Sequence, residues 1–240
     1  MLHISKSDSE VISDAADFIT ERALGAVRAN KRFTWALSGG SSPKRLFELL
    51  TTESYADKFP WEETYFFFGD ERNVPQDSDD SNYRMARIAM LDPMNIPSSH
   101  IFPVDTSLKP AKAAQKYESD IKEFFKTDSP AFDLILLGLG DDAHTASLFP
   151  GTDIIDNTSD LVASVYLTDK QVYRISFTSR LINRGSSVAF LTYGDKKSEA
   201  VAHVFGEYRD HHRFPAQLIS PESGDLHWFL DEEAAKRIQH

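Results

Sequence analysis

Asp142 and His144 stand two positions apart in the run Gly138-Leu139-Gly140-Asp141-Asp142-Ala143-His144-Thr145-Ala146-Ser147-Leu148-Phe149-Pro150-Gly151. A carboxylate beside an imidazole is a simple device for moving protons near neutrality: the ring takes the proton, and the acid orients the ring and stabilises its cation. His144 is the candidate general base and Asp142 its partner. The bland alternative is a histidine that only hydrogen-bonds within a surface loop. Position favours chemistry. The run follows Phe132-Asp133-Leu134-Ile135-Leu136-Leu137, which is short, nearly all apolar and ends at glycine, the pattern of a parallel strand buried on both faces. Open α/β sheets bind ligands at the carboxyl ends of such strands.

Three further segments sit at comparable positions. Ser38-Gly39-Gly40-Ser41 joins a predicted strand, Phe33 to Leu37, to a helix predicted to begin near Lys44, with Pro43 near its first turn. Glycines there leave backbone N–H groups open to an anion, and the helix dipole favours a phosphate. A tight connection without a ligand is the equal alternative for this turn alone. It is neither a Walker A loop nor the dinucleotide fingerprint, so nucleoside triphosphates and NAD are disfavoured. Arg72 ends Gly69-Asp70-Glu71-Arg72 after a predicted aromatic strand, Tyr65 to Phe68. It is either a fork for phosphate or carbonyl oxygen or half of a local ion pair. Arg174 interrupts the period-two run Tyr173-Arg174-Ile175-Ser176-Phe177-Thr178 of apolar and hydroxyl residues, which favours a functional role over the alternative of an edge strand pointing it at solvent. Lys197 follows Gly194 at the start of a helix after the apolar run Val188 to Tyr193, a place where surface lysines also occur.

The elements that must position these residues alternate. Ser7 with Glu10 forms a capping box for a first helix carrying Val11, Ile12, Ala15, Phe18, Ile19 and Ala23 on one side. Further helices are predicted from about Asn82 to Leu91 and from about Ala111 to Phe125. No linker, repeat or low-complexity run divides the chain. The expectation is a single α/β domain over residues 1–240, with a mainly parallel, Rossmann-like sheet covered by helices on both faces.

Composition narrows the partners. With 240 residues, 41% hydrophobic and 26% charged, the chain is ordinary globular material. A net charge of −11 opposes binding to nucleic acid or an anionic membrane but leaves room for a small anion held by a local cluster of cations. Cysteine is absent, which excludes disulfides and thiolate chemistry. Neither a signal-peptide pattern nor a long apolar stretch is present, so a cytoplasmic location is expected. Asp77, Asp79 and Asp80 lack the rest of a calcium loop, and His203, His211 and His212 lack a zinc-site spacing, so no metal and no cofactor are expected.

Taken together, Ser38-Gly39-Gly40, Gly69-Asp70-Glu71-Arg72 with Val74-Pro75 and Ser81-Asn82, His144-Thr145-Ala146-Ser147-Leu148-Phe149-Pro150-Gly151 and Arg174-Ile175-Ser176-Phe177-Thr178 resemble the glucosamine-6-phosphate isomerase/6-phosphogluconolactonase family. The resemblance runs from the first helix to Leu226-His227-Trp228-Phe229-Leu230-Asp231, nearly the whole chain. Within the family it points to the lactonase branch. It implies hydrolysis of 6-phospho-D-glucono-1,5-lactone to 6-phospho-D-gluconate in the oxidative pentose phosphate pathway, without metal or coenzyme, by a monomer or weak homo-oligomer. By the same resemblance, His144 matches the general base and Asp142 its carboxylate, while Ser38, Gly39, Gly40, Ser41, Arg72, Arg174 and Lys197 match the sugar-phosphate pocket. The deaminase/isomerase branch typically has a glutamate where this chain has Phe149, and ranks second. A non-catalytic sugar-phosphate-binding protein ranks third, since it has no need of the Asp-x-His pair. One departure stands out: the family usually reads Asp-Gly-His, and here Ala143 occupies the glycine position. If φ is positive there, alanine costs roughly 1 kcal/mol or more, and a slightly rebuilt loop is expected.

Overall fold

Alternation inside the apolar strands splits the core in two. The structure, a computed structural model, describes residues 1–238. Its strands in chain order are β1 (Leu2–Ser5), β2 (Phe33–Leu37), β3 (Thr64–Phe68), β4 (Asp70–Arg72), β5 (Ile101–Phe102), β6 (Leu134–Leu137), β7 (Val162–Leu167), β8 (Val172–Phe177), β9 (Ser187–Thr192) and β10 (Asp225–Asp231). The helices are α1 (Asp8–Asn30), α2 (Ser41–Leu50), α3 (Asn82–Ala86), α4 (Pro110–Phe125), α5 (Ser179–Ile182), α6 (Ser198–Phe205) and α7 (Glu232–Ala235).

Seven strands form one sheet in the order β1-β10-β9-β6-β2-β3-β5, with every pairing parallel. Trp35, Phe66, Phe68, Leu134 and Leu136 face one side, where α1 and α2 pack through Val11, Ile19, Leu46 and Phe47. Ala36, Phe67, Ile135, Leu137 and Phe190 face the other, against Tyr117 and Ile121 of α4 and Val201 of α6. Each fully buried Phe or Leu contributes about 1.5–3 kcal/mol of apolar transfer energy, so both layers are needed to hold the central strands. No helix among the described residues is long and apolar enough to cross a membrane.

Local signals explain several boundaries. The Ser7 side chain accepts from the Glu10 N–H at the start of α1, and Glu10 reaches back to the Lys6 N–H at 2.9 Å, closing the capping box. The turn before α2 is shorter than expected: the helix starts at Ser41, with Pro43 inside its first turn. The predicted Asn82–Leu91 helix is instead α3 followed by a π-helical turn, Arg87–Leu91.

The period-two run around Arg174 lies outside the parallel sheet. β4, β8 and β7 make a second, antiparallel sheet in that order, packed over α4. β8 is its middle strand, so Arg174 is not on an edge strand facing solvent.

Candidate active site

Four neighbouring strands of the large sheet, β9, β6, β2 and β3, run parallel and end on the same side. Chain order reverses between β2 and β6: from β2 the chain proceeds to β3 and β5, and from β6 it proceeds toward β9 and β10. The connections therefore leave in opposite directions, which opens a crevice at their carboxyl ends. A cleft of about 280 Å³ lies there, lined by Ser38, Gly39 and Gly40 after β2, Gly138, Leu139, Gly140 and His144 after β6, Arg72 of β4, Arg174 of β8 and Lys197 after β9. Ser41, expected in the pocket, does not line it, and neither does Asp142, expected as the partner of His144. Ser41 is the first residue of α2, and Asp142 sits behind the histidine.

His144 Nδ1 lies 2.5 Å from Asp142 Oδ1, and the same oxygen accepts the His144 backbone N–H at 3.1 Å. With Nδ1–H committed to the acid, Nε2 is the ring nitrogen left with a lone pair for the cleft. Burial works against the charge on Asp142, but the His144 ring hydrogen bond and its charge attraction outweigh it, bringing the carboxyl down to about 2. Phe149 stacks on the imidazole with centroids 3.9 Å apart, fixing the ring plane.

The loop reaches this geometry through a tight turn. Gly140 N–H donates to His144 O at 2.8 Å and Ala143 N–H donates to Gly140 O at 3.0 Å. A Cβ on Gly140 would lie 2.0 Å from His144 Nδ1 and 2.6 Å from Asp142 Oδ1, so only glycine permits the pair. Ala143 has φ +61°. The methyl group that makes this conformation costly is fully buried in the core, and the Ala143 carbonyl accepts the Ala216 N–H at 2.9 Å. Burying one methyl recovers about 0.8 kcal/mol, close to the left-handed penalty.

On the facing wall, Gly40 caps α2 with φ +104° and no side chain closes that helix end. A Cβ on Gly39 would fall 2.0 Å from Asn82 Oδ1, so Asn82 occupies the space glycine leaves. Asn82 donates to the backbone and carboxylate oxygens of Asp70, at 2.9 and 3.1 Å, and Asp70 Oδ2 accepts from Ser147 Oγ at 2.7 Å. Asp70 thus ties β4, α3 and the His144 loop together. Glu71 acts one layer deeper. Burial pushes its carboxyl up, and the N–H groups of Tyr83, Asn82 and Arg72 pull it back down. Those bonds, with Ser81 Oγ donating to Glu71 Oε2 at 3.1 Å, tie Asp70-Glu71-Arg72 to Ser81-Asn82.

Arg72 and Arg174 are direct register partners across β4 and β8. Both Nε atoms are buried without a hydrogen-bond partner among the described residues. Arg72 Nη1 donates to Asp80 O at 2.6 Å, whereas the carboxylate nearest Arg174 is Asp70, at 3.8 Å. Burial lowers the Arg174 pKa, with Asp70 opposing and Arg72 adding to the fall. Lys197 pairs with Asp141 at 2.6 Å, which aims it from the β9 side.

Sequence reasoning missed Asp70, Asn82, Phe149 and Lys170 as members of the cleft. Lys170 lies in the β7–β8 turn, with Nζ 4.5 Å from the Phe149 ring centroid on a residue that also stacks on His144. Among the described residues no carboxylate pairs with it. A cation in a hairpin turn is the sort of signal local pattern leaves bland, because only the fold shows where the hairpin leans.

The comparisons agree with this architecture. The model of the family described as glucosamine-6-phosphate isomerases/6-phosphogluconolactonase matches residues 6–228. A 6-phosphogluconolactonase from Synechocystis is 42% identical over 233 residues, covering 95% of this chain and 94% of its own. One from Nostoc is 40% identical over 241 residues, covering 99% and 98%. The solved structure of 6-phosphogluconolactonase from Trypanosoma cruzi superposes with a TM-score of 0.87 at 29% identity, over 100% of this chain and 97% of that one. A match this long, joined to the crevice and its paired Asp142 and His144, places the chain in the glucosamine-6-phosphate isomerase/6-phosphogluconolactonase family.

Proposed function

We propose that this enzyme hydrolyses 6-phospho-D-glucono-1,5-lactone to 6-phospho-D-gluconate, the lactone step of the oxidative pentose phosphate pathway. The observation that carries the reading is an imidazole held by a carboxylate on Nδ1, with Nε2 left for a cleft whose other walls bear Arg72, Arg174, Lys197 and Lys170. A phosphosugar dianion entering a chain of net charge −11 needs such local compensation.

In the proposed reaction, the phosphate sits against the Ser38-Gly39-Gly40 turn and at least one of Arg72, Arg174 and Lys197, with Ser41 contributing its backbone at the α2 end. His144 Nε2 takes a proton from water as the water oxygen bonds to C1. Asp142 keeps the ring oriented and stabilises the imidazolium. Cationic or backbone donors stabilise the tetrahedral oxyanion, which collapses as the bond from C1 to the ring oxygen breaks and His144 returns its proton to that oxygen. A lactone is an activated ester, so this chemistry asks for no covalent intermediate, and no Gly-x-Ser-x-Gly elbow is present in the sequence. Phe149 at the position where the deaminase branch typically has glutamate argues against the isomerase reading.

We read residues 1–240 as one domain working in the cytoplasm as a monomer or weak homo-oligomer, on a small phosphosugar rather than a nucleic acid or membrane. The test generates the phospholactone in place and follows its loss with and without protein, because the lactone also opens spontaneously. Acceleration over that background supports the reading. No acceleration in a folded protein that still binds 6-phosphogluconate points to a non-catalytic binder.

A further inference from the structure

Away from the cleft, Asp156, His211 and His212 bring three ligand atoms within 4.8 Å of one another. Spacing along the chain offered the two histidines no carboxylate; the fold supplies one from a distant segment. Asp156 ends the 3-10 turn Asp153–Asp156, and the histidines lie between α6 and the 3-10 turn Pro215–Leu218. All three are exposed, and none lines the cleft.

Geometry makes the trio more than a surface coincidence. Consecutive residues in an extended chain point to opposite sides. Here the backbone turns, with the Arg213 and Phe214 N–H groups both donating to Asp210 O at 3.0 and 2.8 Å, and the two imidazoles come side by side at 4.6 Å between centroids. His212 Nε2 is 3.6 Å from Asp156 Oδ1. Two ligands bound tetrahedrally to zinc at its usual bond lengths are separated by about 3.4 Å, so this pair needs only a small rotamer adjustment. The nearest cation in sequence, Arg213, is laid over the Phe214 ring at 5.3 Å.

We propose that Asp156, His211 and His212 form a zinc-binding site, with water completing the coordination. Two imidazoles and one carboxylate suit a borderline cation, whereas magnesium and calcium take oxygen donors. The site also has a mechanical consequence. Asp156 follows closely on the His144 loop, which ends at Gly151, and on the other side Ala216 N–H donates to Ala143 O within that loop at 2.9 Å. Zinc therefore clips together the two segments that hold the catalytic turn from outside, without touching the reacting groups.

The experiment uses the untagged full chain, stripped with a chelator and titrated with zinc chloride by calorimetry at neutral pH. Saturable binding of one ion per chain is expected. Losing a supporting neighbour of a metal ligand typically costs 10–100-fold in affinity, so Asp156→Asn or His212→Ala, which remove direct ligands, should each weaken binding by roughly tenfold or more. His203→Ala, whose ring lies by Glu199 on α6, should leave it unchanged. In parallel urea melts, zinc at about 100 times its Kd should lower the unfolding constant about 100-fold in wild type and much less in the two ligand variants. The proposal is overturned by an absence of saturable binding, by equal affinity in wild type and the ligand variants, or by loss of the ion on His203→Ala.

Discussion

Two of the chain's three Asp-x-His triplets pair acid and ring directly, and they sit in opposite settings. Asp142-Ala143-His144 lies on a loop at the carboxyl end of β6, and Asp225-Leu226-His227 lies within β10 at its amino end. In the strand, period two puts Asp225 and His227 on one face with 3.4 Å between Oδ1 and Nε2. His227 is only 3% exposed, hydrogen-bonds His3 at 2.9 Å, and sits among Phe18 and Arg22. Every nitrogen of that ring is spoken for by protein. In the loop, a left-handed residue between acid and base folds the carboxylate onto Nδ1 and leaves Nε2 toward the cleft. The same two residue types at the same spacing thus make a structural anchor in one case and the proposed proton acceptor in the other. The backbone between them decides which.

Substitutions separate the two pairs most sharply. His144→Ala should lower kcat by about 10²–10⁴-fold, the usual contribution of a positioned general base, while 6-phosphogluconate still binds and the far-ultraviolet spectrum is unchanged. His227→Ala should leave kcat near wild type and lower the urea midpoint, since it opens a buried cluster. If His144→Ala kept near-normal turnover in a folded protein, His144 would not be the general base.

Gly140→Ala tests the geometry without replacing either member of the pair. Its Cβ would displace His144 Nδ1 from Asp142, and misplacement on the order of 1 Å can cost about 100-fold in rate. A crystal structure of that variant should show the pair separated. Asp142→Asn should fall between this variant and wild type, with kcat more affected than KM.

Lys170→Met should raise KM several-fold with a smaller effect on kcat, measured against Arg174→Ala, which should impair both more strongly. A Lys170 variant with wild-type KM would show that the hairpin cation only packs on Phe149.

The smallest effects lie in pH. Burial lowers the pKa of both His3 and His227 below the ordinary 6.5, so the unfolded chain binds more protons below that value. Stability should therefore begin to fall as pH drops below about 6.5 and continue falling to the lowered native values. The Asp142 contribution has a separate window: its carboxyl is held at about 2 against an ordinary 3.8, so its stabilisation is present above 3.8 and is lost between 3.8 and about 2. Urea midpoints across pH should show His227→Gln flattening the first window and Asp142→Asn the second.

What could be read from sequence follows the same division between local and tertiary causes. The Ser7 cap, strand β2 and the strand-end positions of Ser38, His144 and Lys197 rest on local patterns that the fold respects. The small sheet was not legible as a separate layer. β4 is only three residues, Asp70-Glu71-Arg72, all charged, and its acids are buried by partners from α3 and the His144 loop that no local pattern announces. Asn82 and Lys170 entered the cleft for the same reason. The positive φ considered for Ala143 is present, and the core around its methyl supports the left-handed turn.

Arg72 and Arg174, placed opposite each other by the small sheet, have a consequence for the protein's lifetime. Two guanidinium groups in cross-strand register repel, and the phosphate dianion proposed to bind beside them would relieve that repulsion. Anything that binds only the folded form stabilises it by mass action. On the proposed reading, a bound phosphosugar should therefore slow proteolysis of the folded chain, and its removal should leave the chain more open to proteases.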